Sequence, residues 1–284
     1  MRDQTREIVG FLCRWALLGV TGGAGVAVGA LVLGSAGDVA AGPTARMTVP
    51  DAVCRYPGRG HVLGQLTPPY ARSPDAAALV STPDRGLRRV PTGERHLLQR
   101  VIAPPIGASR FHFVGIPYSR YAFARADALL WAVPPGRDVW LIDARLVPDA
   151  DDAETQRWEP LLALLAAIHT RRHDAALFWT GATAAYDALR RRVRRHAGPV
   201  PVLHVLRPDG APPLRVLLRA RWRLRARDEL PTVITPDAAL ADAAAERGFP
   251  THLVADAAQP PQLLRAHASV TALAEHLRRR TAPR

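Results

Sequence analysis

Hydrophobic and polar positions divide the chain into three stretches of different character. Residues 15–34 (WALLGVTGGAGVAVGALVLG) run for twenty positions without a charge. As a helix such a run spans about 30 Å, the thickness of a bilayer core. Residues 35 to about 92 are rich in Pro, Gly, Ala and Asp and show little periodicity, and residues 35–136 together are expected to be a Pro/Gly-rich linker and accessory region. Within it the spacing predicts a short helix over 94–101 stopped by Pro104-Pro105, a strand in RFHFVGIPY, and a helix over 120–133 ended by Pro134-Pro135-Gly136. From Arg137 onward short apolar runs alternate with longer amphipathic ones. Strands are predicted over 139–142, 175–179, 201–206, 232–235 and 251–255. Helices are predicted over 160–170, 182–195, 213–227, 237–247 and 262–279. Strict β/α alternation with short connections implies an α/β fold, a parallel Rossmann-like sheet with helices on both faces. Sites in such sheets form at the carboxyl ends of the strands, where Asp143 and Thr180 fall.

The apolar run of residues 15–34 is expected to be a single transmembrane helix. Arg2, Arg6 and Arg14 precede it and only Arg46 follows soon after. The positive-inside rule therefore places residues 1–14 in the cytoplasm and the rest outside. Gly19/Gly23 and Gly25/Gly29 give small-residue faces suited to close helix packing in lipid. Two other readings stay open. Val39-Ala40-Ala41 would suit cleavage of a signal peptide, and the six glycines would suit a soluble element. The spacing around Gly23-Ala24-Gly25 is GxGxxxG rather than GxGxxG, so a dinucleotide loop is not supported.

Composition adds one exclusion. The chain has 284 residues and a net charge of +13, from 38 basic against 25 acidic residues, and every basic residue is arginine. With no lysine there is no lysine nucleophile, Schiff base, PLP attachment or Walker-type phosphate lysine. The Ala, Arg, Pro and Gly richness is a bacterial-type bias, as from G+C-rich coding. Cys13 and Cys54 are too few for a disulfide framework, and no Cys/His spacing suggests a structural zinc site.

Four segments carry a resemblance. VWLIDARLV is an apolar strand ending in Asp143; ALFWTGATAAYDALRRRV is a strand ending in Thr180-Gly181 before a helix. VLHVLRPDGAPPLRVLLRARW is a strand, a loop and a basic helix, and TVITPDAALADAAAERGFPTHLV is a strand, a helix and a Gly-Phe-Pro turn. Together, residues 137–256 resemble the haloacid dehalogenase-like phosphatases, especially the small uncapped ones. The resemblance implies Asp143 as the phosphoryl-accepting nucleophile, Thr180 and Gly181 as phosphate-binding, and Arg215 near the phosphate-clamping lysine. It also implies Mg²⁺ if the site is active. The departures are Arg145 in place of the second aspartate of DxD, and Thr235 and Pro236 in place of the paired acids. Arginine holds no proton to give near neutral pH, and Mg²⁺ needs oxygen ligands that are missing there. No metal or cofactor is otherwise expected.

Plainer roles are available to the same residues. Asp143 can pair with Arg145, Thr180 can cap the following helix, Arg215 can be a solvated helix residue, and Asp237 can be an N-cap. Arg190, Arg191, Arg192, Arg194 and Arg195 oppose the dipole at one helix end. No aromatic-and-basic repeat suited to stacking bases appears, so no specific nucleic-acid partner is expected. The leading expectation is a membrane-anchored, non-catalytic binding or scaffold subunit of a membrane or envelope assembly. Its protein partners would be reached through the transmembrane helix or the α/β domain, and residues 257–284 would add a terminal helix and basic tail. The alternatives are an active phosphohydrolase built on Asp143 and an arginine-rich binder of anionic surfaces.

Overall fold

The computed structural model describes residues 46–67, 77–82, 86–91, 97–116, 124–149, 155–207, 209–224, 230–255 and 265–279. The stretch 15–34, expected to cross a membrane, lies outside them. Among the described residues no helix is long and apolar enough to cross a membrane.

The C-terminal half follows the β/α alternation. Its elements are β9 (Val139–Asp143), α1 (Thr155–Thr170), β10 (Asp174–Trp179), α2 (Thr183–Ala197), β11 (Val202–His204) and α3 (Pro213–Leu224). They continue with β12 (Thr232–Thr235), α4 (Ala238–Ala245), β13 (Thr251–Val254), β14 (Arg265–His267) and α5 (Val270–Arg279). The six strands form one parallel sheet in the order β11-β10-β9-β12-β13-β14. Every residue of β9 is buried, as a central parallel strand requires. Its alternate residues face opposite ways. Trp140 and Ile142 pack with Trp158, Leu161 and Leu164 of α1, Tyr186 and Leu189 of α2, and Leu273 of α5. Val139 and Leu141 pack with Val216 and Leu217 of α3 and Leu240 of α4. Helices thus cover both faces.

Two boundaries differ from the sequence expectation. α1 begins at Thr155, so Pro160 lies inside the helix instead of at its first turn. That forfeits one backbone hydrogen bond. The early turn is held by Trp158, which is buried and stacks on His196 at 4.6 Å. Residues 262–279 are not one helix either: β14 adds a sixth strand before α5. Its residues, Arg-Ala-His, carry no strand-like alternation; pairing with β13 is what extends them.

The larger correction concerns residues 46–133. Their described residues form eight strands: β1 (Arg46–Thr48), β2 (Ala52–Arg55), β3 (Gly60–Thr67), β4 (Ala77–Thr82), β5 (Gly86–Pro91), β6 (Leu97–Ile102), β7 (Gly107–Ile116) and β8 (Ala124–Val133). One sheet has the order β1-β3-β6 and the other β2-β8-β7-β4-β5. The described residues of the stretches expected to be helical over 94–101 and 120–133 are strands instead, β6 and β8. β6 is extended because it pairs antiparallel with β3 over six residues, an interaction with no local signature. β8 carries an unbroken apolar run, ALLWAV, which periodicity alone does not assign to helix or strand.

The reason for that run is that β8 and β2 serve two cores. Ala126, Ala128, Leu130 and Ala132 of β8, with Ala52 and Cys54 of β2, face the β core around Val62 and Phe111. Val133 and Val53 face the other way and join Leu203, Val216 and Leu217 in the core of the α/β half. Both halves belong to one compact unit, Thr44–Arg284.

Candidate functional site

The direction of chain progression across the parallel sheet reverses at β9, which has β10 on one side and β12 on the other. In doubly wound sheets ligands bind in the crevice outside the carboxyl ends at such a point. Asp143 closes β9 there, and Thr235 closes β12 beside it. Asp143 is 1% exposed and Thr235 fully buried.

A single side chain dominates this place. After β9 the chain makes a 3₁₀ turn, Ala144–Leu146, capped by Asp143, whose Oδ1 accepts from the Arg145 N–H at 3.0 Å. The turn folds the Arg145 guanidinium back over the strand end. Its Nε lies 3.1 Å from both Asp143 oxygens and its Nη2 2.6 Å from Oδ2. Its Nη1 donates to Asp237 Oδ2 at 2.8 Å. Thr235 Oγ1 donates to Asp143 Oδ2 at 2.8 Å and accepts from the Asp237 N–H at 3.2 Å. Asp237 Oδ1 accepts from Leu240 N at 3.0 Å, so Asp237 is the N-cap of α4. The hydrogen bonds from Asp143 push the Arg145 pKa above its ordinary value, and Arg145 in turn holds Asp237 below the usual carboxylate range.

Both plainer sequence readings, Asp143 paired with Arg145 and Asp237 as a cap, are therefore what is found. Thr235 is the hydroxyl that completes the cluster. Chemically the arrangement is closed: Arg145 lies against both Asp143 oxygens, and the approach a metal would take carries a guanidinium. Among the described residues no group of three or more His, Cys, Asp or Glu side chains is disposed to hold a metal ion. The turn after β9 also lacks glycine, so it offers no pyrophosphate cradle.

The other candidate residues are less engaged. β10 pairs directly with β9, with Phe178 opposite Asp143, so Thr180 stands two residues further along the neighbouring strand. The Thr180 carbonyl accepts from Ala211 N at 3.0 Å. Its hydroxyl does not cap α2, because the N-cap residue is Ala182 and no side chain bonds there. Gly181 is occupied by the protein itself: a Cβ there would lie 2.2 Å from the Trp179 ring, which packs across the turn. The β11–α3 loop docks on the same turn. Gly210, at φ +90°, approaches so closely that a Cβ would sit 2.4 Å from the Thr180 oxygen. Thr183 Oγ1 clamps this loop, donating to the Arg207 carbonyl at 2.6 Å and accepting from Arg207 N at 3.0 Å. Arg215 is exposed on the first turn of α3 and takes no part in the polar contacts of Asp143, Arg145 and Asp237 among the described residues.

A second buried aspartate escaped the sequence reading. Asp51, just before β2, is completely buried. Its Oδ1 accepts from Leu129 N of β8 at 2.7 Å and from Arg194 Nη2 of α2 at 2.9 Å. Its Oδ2 accepts from Val202 N of β11 at 3.0 Å. Its own N–H donates to the Tyr186 hydroxyl at 2.9 Å, and that hydroxyl donates to the Val202 carbonyl at 2.7 Å. Arg190, over the Tyr186 ring, approaches Asp51 to 3.6 Å and donates to the carbonyls of Val49 and Asp127. Part of the α2 arginine cluster is thus turned inward as a joint between the two halves. The only trace in the sequence is an isolated acid in an apolar stretch, TVPDAVC.

No family model matches the sequence, and no curated protein matches it either.

Proposed function

We propose that the α/β domain is a non-catalytic binding or scaffold domain, a degenerate relative of the haloacid dehalogenase-like phosphatases held at a membrane by residues 15–34. One observation carries the non-catalytic part: the Arg145 guanidinium is fixed between Asp143 and Asp237 at the strand ends, at 2.6 and 2.8 Å. A phosphoryl-accepting carboxylate needs a free oxygen and a positively charged ion to polarise the phosphate. Here one cation is built in permanently, it cannot donate a proton, and it covers both oxygens. The likeness rests on the four strand-and-helix segments and their order. The anchor rests on the charge-free run and the arginines before it.

Two experiments test the two parts. Purified full-length protein with Mg²⁺ and p-nitrophenyl phosphate is expected to release no phosphate, and Mg²⁺ is expected to leave its unfolding midpoint unchanged. Turnover that Asp143→Asn abolishes would overturn the reading and favour the phosphohydrolase alternative. The full chain is expected to stay with membranes through an alkaline carbonate wash; release into the supernatant would remove the anchor. Impermeant thiol labelling of Cys54 does not report topology, because that thiol is buried within the β core.

A further inference from the structure

Helix α3, PLRVLLRARWRL, carries four arginines and no acid. Its Val216, Leu217, Ala220 and Leu224 are buried against the rest of the fold. At about 100° per residue, that turns Arg215, Leu218 and Trp222 outward in one stripe. Arg219 lies on one flank of the stripe and Arg221 on the other. Arg215 is exposed, Leu218 is 40% exposed and Trp222 65%.

The stripe continues beyond the helix. Among the described residues the large apolar side chains left exposed are Val101, Ile106, Leu218 and Trp222. Three of them come together here. Trp222 packs on His61 of β3, with ring centroids 5.3 Å apart. His61 is paired with Val101 across the antiparallel β3–β6 ladder, so both side chains share the outward face. Val62 and Ile102, the next residues, are buried on the opposite face. Neither β3 nor β6 holds an acid. Val101, Leu218 and Trp222 belong to none of the buried clusters, so packing within the fold does not account for them.

An apolar ridge edged by cations suits a lipid surface. Trp, Leu and Val seat at the boundary between headgroups and acyl chains, while arginines on both flanks reach back to phosphate. A second copy of this chain would set arginine against arginine. A protein partner needs a footprint of about 20 residues a side, of which this ridge supplies little. The aliphatic Leu218 and Val101 offer no stacking surface to nucleic-acid bases.

We propose that the outward face of α3, with His61 and Val101 beside it, docks on an anionic phospholipid surface. Trp222, Leu218 and Val101 enter the interface, and Arg215, Arg219 and Arg221 hold headgroup phosphates. The contact is separate from the membrane span expected over 15–34 and stands whether or not that span inserts.

The test reads Trp222 in the full chain. Vesicles of phosphatidylcholine, alone or with about 30% phosphatidylglycerol, carry bromine on their acyl chains. Subtracting the quenching of Trp222→Phe from that of the wild type isolates Trp222 among the six tryptophans. In phosphatidylglycerol vesicles the Trp222 emission is expected to fall by about half, and to recover in about 0.5 M NaCl. In phosphatidylcholine alone it is expected to stay unquenched. Arg215→Gln combined with Arg221→Gln should cut the quenching about threefold. The carbonate wash reads the anchor separately. An unanchored chain would still bind the anionic vesicles with Trp222 quenched, and an anchored one would join both kinds with Trp222 quenched only in the anionic. Unquenched Trp222 in both kinds would overturn the proposal, anchored or not, and leave the face to a protein partner. Equal quenching in both kinds, or quenching untouched by the arginine changes, would overturn it as well.

Discussion

Asp51 and Asp143 are both buried aspartates gripped by arginine, yet they are built for different ends. Asp51 is enclosed on every side and shared among β8, β11 and α2, with two arginines and two backbone N–H groups upon it. It satisfies groups from both halves of the molecule at once. Asp143 is equally hidden, but its partner Arg145 is 40% exposed, comes from two residues away and reaches on to Asp237 at the rim of the sheet. The first is an internal joint; the second is a plug at the mouth of a crevice. Burial of an aspartate therefore says little about its role. What its arginine faces, interior or solvent, separates the two.

The contrast can be broken most sharply at Asp51. Asp51→Ala leaves Arg190 and Arg194 without their shared anion and two backbone N–H groups without an acceptor. It is expected to cost about 3–5 kcal/mol in chemical denaturation. A loss below 1 kcal/mol would mean that water or Asp187 substitutes readily, and that the joint is not structural. Arg145→Ala should cost less, about 1–3 kcal/mol, since the mutated side chain is part solvated and water can reach the uncovered carboxylate. In a double-mutant cycle Asp143→Asn should recover part of that loss, because the stranded charge goes with it. Additive effects would show that the two side chains do not act as a pair.

The smallest effects are those of pH. His204 is held below its ordinary pKa of 6.5 by burial, so the unfolded chain takes up the proton first. Its contribution to stability is complete above 6.5 and is lost as the pH falls toward its lowered value. His204→Gln should flatten that slope. Asp237 is held below 3.8 chiefly by its hydrogen bond from Arg145, so its contribution persists above 3.8 and fades as acid protonates it. Arg145→Ala should shrink this acid limb, leaving the part due to the Leu240 N–H, and leave the His204 slope intact. If Arg145→Ala altered both slopes, the plug and the surroundings of His204 would be coupled.

Much of the C-terminal half was legible in advance. β9, β10, β12 and β13 lie within a residue of their expected positions because parallel strands buried on both faces are short apolar runs bounded by turn residues. The pairing of Asp143 with Arg145 was legible too, from two charges straddling one alanine at a strand end. The region before Arg137 was not. Its strands are Gly- and Ala-rich, such as GHVLGQLT and AALVST, with little β-branched bias, and they form by pairing with partners far along the chain. The Asp51 joint was hidden for the same reason: its Arg194 lies 143 residues away and its Val202 partner 151.

By itself the sequence determined the parallel α/β class of residues 139–254 and the strand ends at which Asp143 and Thr235 fall. Those follow from local apolar patterning and residue identity, which do not depend on distant partners. Tertiary structure alone decided that the described residues of 46–133 are built into β-sheets and that Asp51 ties the halves together. It also decided that Arg145 spans two carboxylates. Each of these depends on which side chains a fold brings within about 4 Å, where burial makes a missing partner expensive.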